Sequence, residues 1–332
     1  MIRDSRFKPA WWLPSAHHQT MWPHLFRQIS GFTFDTERLD LGDGDFVDLA
    51  WNGIDEGPIT LILHGLEGSV LSPYASGLMQ AMKDQRQRAV VMHFRGCSGT
   101  PNRLARGYHS GDTGDIHSLL VALREREPSV VLRAVGYSLG GNALLKYLGE
   151  TGSSCLLERA VSVSVPFSLS EAANRLARGV SRIYQAHLLS SLKASVRRKA
   201  DLLRLSDIDV NRALASKTFW EFDHRLTAPL HGFRDVHDYY EQCSSIHFLK
   251  SIERPTLILH AADDPFMTTA ALPSEHQLSR LVCLELSRYG GHVGFVSGSS
   301  PLFPHYWLDE RILEFMTHHV PESFSSCTND GK

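Results

Sequence analysis

The stretch Gly136-Tyr137-Ser138-Leu139-Gly140, followed by Gly141, has the spacing of a G-x-S-x-G nucleophile elbow. Such an elbow needs a strand before it and a helix after it. The run Val130–Gly136 reads as the strand and Leu139–Leu148 as the helix. Small residues two positions either side of the serine let the chain turn tightly and push the hydroxyl out of the sheet edge. The hydroxyl then stands at a helix N-terminus, whose dipole favours developing negative charge.

A serine hydroxyl becomes an effective nucleophile only when a base takes its proton. The chain has 18 histidines, so residue type alone selects none. Where such an elbow occurs, the acid and then the histidine follow the serine in chain order. His292 stands in Tyr289-Gly290-Gly291-His292-Val293-Gly294, just after a strand pattern at Leu281–Leu286. Loops at the carboxyl ends of strands are where α/β sheets place functional groups. His276 falls in a polar helical stretch, and His305, His318 and His319 are assigned to a terminal helix near 306–319. All four are read as surface or core histidines. The acid should follow the strand Thr256–Ala261, where Asp263 and Asp264 stand side by side. One would orient the imidazole and stabilise its cation, and the other would cap the turn. Two backbone amides are needed for an oxyanion. Leu139, next to the serine, supplies one; Leu66, in the loop His64-Gly65-Leu66-Glu67-Gly68, supplies the other. His64 is expected to brace that loop. His17-His18 lack a third ligand at supporting spacing, and no G-x-G-x-x-G follows the first parallel strand, so neither a metal nor a cofactor is expected.

These residues need a scaffold. Nearly continuous apolar runs at Ile59–His64, Ala89–Phe94, Val130–Gly136, Ala160–Val165, Thr256–Ala261 and Leu281–Leu286 suit strands covered on both faces, as in a parallel sheet. Phe32–Leu41 and Phe46–Trp51, joined by Gly42-Asp43-Gly44-Asp45, read as a hairpin. Helical patterns at Tyr74–Met82 and Ile116–Leu123 alternate with the strands, which predicts a mostly parallel, doubly wound α/β sheet. Residues 166–250 break the alternation and read as an inserted helical cap. Residues 1–165 and 251–322 are then the core, and 323–332 a flexible tail. A basic run in the cap (Lys193, Arg197, Arg198, Lys199, Arg204) reads as a solvated helix face.

With 34 Lys+Arg against 36 Asp+Glu among 332 residues, 42% hydrophobic and 21% charged, the chain is an ordinary globular protein. Its charge balance excludes a strongly basic nucleic-acid binder. Five cysteines without close pairing predict reduced thiols and a cytoplasmic location. The first residues lack a signal-peptide pattern, and no apolar window reaches the ~18 residues of a membrane span. Trp11, Trp12, Trp22 and Phe26 are expected to pack on the core, with transient membrane-surface contact as the alternative. Oligomeric state is not legible.

Taken together, the blocks resemble the α/β-hydrolase superfamily. More narrowly they resemble its YheT-like branch, AB hydrolase-4-type esterases related to animal ABHD-type lipases. The resemblance spans almost the whole chain. It rests on residues 15–23 (SAHHQTMWP), 64–68 (HGLEG), 94–99 (FRGCSG), 136–141 (GYSLGG), 227–233 (TAPLHGF), 263–266 (DDPF) and 290–292 (GGH). It implies an α/β-hydrolase fold and a Ser138, Asp264, His292 triad, the acid being the second Asp of the D-D-P-F block. It implies carboxylic-ester hydrolysis of a small-molecule or lipid ester through an acyl-enzyme. An acyltransferase using the same acyl-enzyme and a non-catalytic binding protein on this fold are the alternatives.

Overall fold

The computed structural model describes residues 1–27 and 31–317; the expected tail, His318, His319 and Cys327 lie outside them. Strands are β1 (Ile2–Asp4), β2 (Asp35–Asp40), β3 (Phe46–Trp51), β4 (Ile59–Leu63), β5 (Arg88–Met92), β6 (Leu132–Tyr137), β7 (Arg159–Val163), β8 (Thr256–Ala261) and β9 (Val282–Ser287). They form one sheet in the order β1-β9-β8-β7-β6-β4-β5-β3-β2. All neighbours pair parallel except β2 with β3 and β3 with β5. A separate antiparallel pair joins β10 (Val296–Ser300) to β11 (Phe303–Tyr306). This is the mostly parallel α/β architecture that the apolar runs predict.

Helices α1 (Ala16–Phe26), α2 (Pro73–Asp84), α3 (Gly114–Arg126) and α4 (Leu139–Thr151) belong to the first half of the chain. Seven more lie between β7 and β8: α5 (Leu169–Leu176), α6 (Ser181–Arg198), α7 (Ala200–Arg204), α8 (Val210–Leu214), α9 (Phe219–Phe222), α10 (Ala228–Leu230) and α11 (Val236–Cys243). The last described helix is α12 (Trp307–Thr317). One sheet face packs on α3 and α4 through Ile116, Leu119, Leu120, Leu144 and Leu148. The other packs on α2 and α12 through Leu78, Met79, Met82, Ile312 and Met316. Each face thus removes a continuous apolar layer from water, the main favourable term in folding. The helices between β7 and β8 have a hydrophobic cluster of their own, including Leu189, Val196, Phe219, Phe222 and Tyr240. It meets the loops after β4 and β8 through Leu66 and Phe266. Among the described residues no helix is long and apolar enough to cross a membrane.

The structure departs from the sequence reading at several points. β1 adds a parallel strand at the sheet edge, fixed by the Met1 amino group on Val282 O (2.9 Å) and by Arg3 on Glu285. Three residues are too few for a periodic signal. The segment holding His17 and His18 is helix α1, capped by Ser15; Pro23 inside it hides the pattern. His305 lies in β11, not the terminal helix, where it meets Ser297 Oγ and Glu310. The aromatics divide: Trp12 and Trp22 pack together with ring centroids 4.5 Å apart and the partly exposed Phe26 lies against Trp22 (4.4 Å), while Trp11 is exposed. The basic run is only partly a solvated face. Lys193 donates to Ser216 O, and Lys199 to Leu104 O and Arg106 O (3.0 and 2.9 Å). Burial pulls the Lys199 ammonium down to a pKa of about 8. Cys97, Cys155, Cys243 and Cys283 are free thiols.

Candidate active site

Ser138 joins β6 to α4 with φ 51° and ψ −117°, a left-handed conformation that costs a non-glycine residue ~1–2 kcal/mol. The surroundings hold it there. Its amide donates to Val163 O (2.8 Å), and the chain passes so close to its neighbours that side chains are excluded at both flanking glycines. A Cβ on Gly136 would lie 2.5 Å from Gly140 O, and one on Gly140 would lie 2.5 Å from His64 O. These are backbone clashes without a rotamer to relieve them. The G-x-S-x-G spacing is therefore a packing requirement of the turn.

His292 Nε2 lies 3.0 Å from Ser138 Oγ, and His292 Nδ1 lies 2.8 Å from Asp264 Oδ2. Residues 138, 264 and 292 come from three separate strand ends and meet in one hydrogen-bonded line. A carboxylate only accepts, so Nδ1 carries the proton and Nε2 is left to accept from the hydroxyl. Asp264 is the member of the Asp pair that faces the imidazole. Its other oxygen accepts from the Phe266 amide (2.8 Å). Burial pushes its pKa up, but the His292 charge and hydrogen bond, His260 and the Phe266 amide outweigh this and hold it below the usual carboxylate range. Asp263 turns away and accepts from the Gly291 amide (2.9 Å), bracing the histidine loop. Burial leaves its pKa raised.

The sequence reading missed the groups that hold this histidine in place. The His292 amide donates to Thr20 Oγ1 (2.9 Å) of α1, and the Val293 amide to Ser164 Oγ (3.0 Å) after β7. Gln19 brackets Val296, accepting from its N–H (2.7 Å) and donating to its C=O (3.0 Å). The Phe266 ring lies flat on the imidazole, centroids 3.8 Å apart at 3°. The D-D-P-F block thus supplies the acid and, two residues on, the plate that fixes the ring plane. Only the Q-T of the 15–23 block and the F of D-D-P-F hinted at these roles.

The loop after β4 stands on the other side of the serine. Gly65 N–H donates to Tyr74 OH (2.8 Å), Glu67 N–H to Tyr108 OH (2.7 Å) and Gly68 N–H to Gly65 O (3.0 Å). Among the described residues the Leu66 amide lies between these and keeps no such acceptor. Leu139 opens α4, so its amide is one of the first-turn donors without an intrahelical partner. His64 is a brace. Its Nε2 accepts from Phe94 N–H (3.1 Å), so its Nδ1–H donates to Gly65 O (2.7 Å). Complete burial drops its pKa to about 3, which keeps it neutral.

Ser138, His292, Leu66 and Leu139 line one cavity of about 750 Å³. Its wall on the β7–β8 side is α5, α6 and α9, with Leu169, Leu176, Leu188, Leu192, Phe219 and Phe222. Asp223 also faces it, from a π turn between α9 and α10, accepting from Thr227 Oγ1 and Tyr240 OH. Among the described residues no cluster of three His, Cys, Asp or Glu has metal-binding geometry.

This arrangement defines a class. A family description of the alpha/beta hydrolase fold matches residues 58–298, and the chain belongs to that family. It is 43% identical over 322 residues to the Escherichia coli (strain K12) protein named "Putative esterase YheT", covering 96% of this chain and 94% of that one. It is 29% identical to the mouse protein named Phospholipase ABHD3, over 89% of this chain and 74% of that one. It is 31% identical to a Saccharomyces cerevisiae monoacylglycerol lipase, over 80% and 60%. A solved Pyrococcus furiosus esterase shares the fold, with a TM-score of 0.55 at 15% identity, covering 87% of this chain and 95% of that one.

Proposed function

We propose that the protein is a serine carboxylic-ester hydrolase, with Ser138 as nucleophile, His292 as general base and acid, and Asp264 as the orienting carboxylate. The observation that carries this reading is the unbroken line from Ser138 Oγ through His292 to Asp264, open to a largely apolar cavity. The esterase and lipase names of the relatives support it.

In the first step His292 Nε2 takes the Ser138 proton as Oγ bonds to the ester carbonyl carbon. The carbonyl electron pair moves onto oxygen, and the amides of Leu66 and Leu139 stabilise that oxyanion. The imidazolium, steadied by the Asp264 carboxylate, gives its proton to the departing alkoxide as the C–O bond breaks. Water then enters, loses a proton to Nε2 and attacks the acyl-enzyme. The serine leaves with that proton, and the acid product is released. Nothing but the ester and water is consumed.

Ser138→Ala is expected to abolish p-nitrophenyl ester turnover and fluorophosphonate labelling while the protein still folds. Retention of wild-type turnover by this variant would refute the assignment. We further propose that residues 166–250 act as a cap that selects the acyl chain. Leu192→Trp, which fills the cap wall of the cavity, is expected to lower kcat/KM for long-chain esters at least about tenfold relative to acetate. An unchanged chain-length profile would count against the cap's role.

A further inference from the structure

Glu67 is the residue of the 64–68 loop that the chemistry above leaves unused. It adjoins Leu66, it is a non-glycine residue at φ 53°, and its side chain is partly buried. Three contacts converge on it. Its amide donates to Tyr108 OH (2.7 Å), and the same hydroxyl donates back to Glu67 Oε1 (3.0 Å). This closes a ring across a tyrosine that is stacked on Phe94 at 13°. The other carboxylate oxygen, Oε2, accepts from Ser195 Oγ on α6, and Arg198 Nη2 donates to that serine (2.8 Å).

Ser195 is placed to report on the cavity. Residues 183, 184, 187, 188, 191 and 192 of α6 line the cavity, at the spacing of one helical face. Position 195 is the next step along it. Lys199, one turn further on, anchors the end of α6 to the carbonyls of Leu104 and Arg106, just before Tyr108. The Leu66 side chain packs against the cap's hydrophobic cluster. The wall that would feel the substrate and the loop that would hold the oxyanion are therefore joined by one carboxylate.

We propose that Glu67 is a positioning residue that latches the oxyanion loop to α6 through Ser195, so that the Leu66 amide is aimed at the reacting carbonyl only while the cap helix is seated. This rests on the reading of Ser138 as the nucleophile. A left-handed residue needs outside support to persist, and here the support comes from Tyr108 on one side and the cap on the other. Losing it would let the loop relax and withdraw a donor whose effect appears in the transition state, and hence in kcat rather than in KM.

The test compares Glu67→Ala, Glu67→Gln, Ser195→Ala and the Glu67→Ala/Ser195→Ala double variant. Two readouts are used: steady-state ester kinetics, and hydrogen–deuterium exchange of peptides covering residues 64–72. Glu67→Ala is expected to lower kcat at least about tenfold with KM changed less than about threefold, on the scale set by losing an oxyanion donor. Glu67→Gln still accepts from Tyr108 and donates to Ser195, and is expected to recover most of the loss. Ser195→Ala, on the cap and distant in sequence, is expected to lower kcat in the same direction and to speed loop exchange. The double variant should be no worse than Glu67→Ala. Wild-type kcat in Glu67→Ala, multiplicative losses in the double variant, or unchanged loop exchange in Ser195→Ala would each overturn the latch. A wild-type protein inert toward ester and fluorophosphonate would instead overturn the nucleophile assignment, and the exchange measurement would still decide the latch.

Discussion

Asp264 gives one carboxylate oxygen to His292 Nδ1 and the other to the Phe266 amide, with its side chain 1% exposed. Asp263, joined to it by a single peptide bond, reaches the Gly291 amide instead. The two carboxylates are chemically equal, and only the direction of the turn after β8 separates their work. Asp264→Asn keeps the shape but reverses the demand on Nδ1. The amide can donate where the imidazole must donate, which favours the wrong tautomer. By analogy with other serine triads the expected loss is ~10³–10⁴ in kcat. Asp263→Asn still offers an oxygen to Gly291, so its expected loss is below about tenfold. Equal losses in the two variants, measured as ester turnover, would show that the pair is misassigned. The pair also marks how far the sequence is legible at this scale. Ser138 and His292 stand out from spacing and order, whereas choosing between adjacent aspartates needed the family resemblance. Thr20 and Ser164 leave no trace, because each acts by accepting one backbone N–H, a task that any correctly placed hydroxyl performs.

Among the elements, the strands were the most legible, because a strand covered on both faces must be apolar along its length. β3 and β8 fall on the expected residues, and most of the others shift by one or two. β10 carries Val296-Ser297-Gly298-Ser299-Ser300, which lacks any such run, and it is held by Gln19 and by pairing with β11. The helices between β7 and β8 were visible, but the π turn at Asp223–Thr227 was not. A single widened turn has no period of its own. That turn is held by Asp223, whose carboxyl accepts from Thr227 on one side and Tyr240 of α11 on the other. Burial lifts its pKa to about 6 against these two hydrogen bonds. A carboxyl raised in the folded state destabilises the fold when ionised. The penalty is full above pH ~6 and fades as pH falls toward the unfolded value near 3.8. Asp223→Asn is therefore expected to raise Tm by a few degrees at pH 8 and to lose that advantage near pH 4. A Tm difference that does not vary with pH would contradict this origin.

For the molecule as a whole, the alternation of strands and helices was enough to name the architecture. The long-range closure was not, because nothing local announces that the first residues pair with the last strand of the sheet. β1 lies on β9, and Glu285 of β9, buried among polar partners, holds both Arg3 and Arg311 of α12. The same closure operates at the site, where α1 supplies Thr20 and Gln19 to a loop more than 270 positions away. A polypeptide leaving the ribosome N-terminus first carries the Ser138 hydroxyl long before the His292 imidazole has been translated. The helix that grips the loop of His292 is made before either. On the proposed triad, a chain released before residue 292 lacks its general base and is expected not to cleave esters.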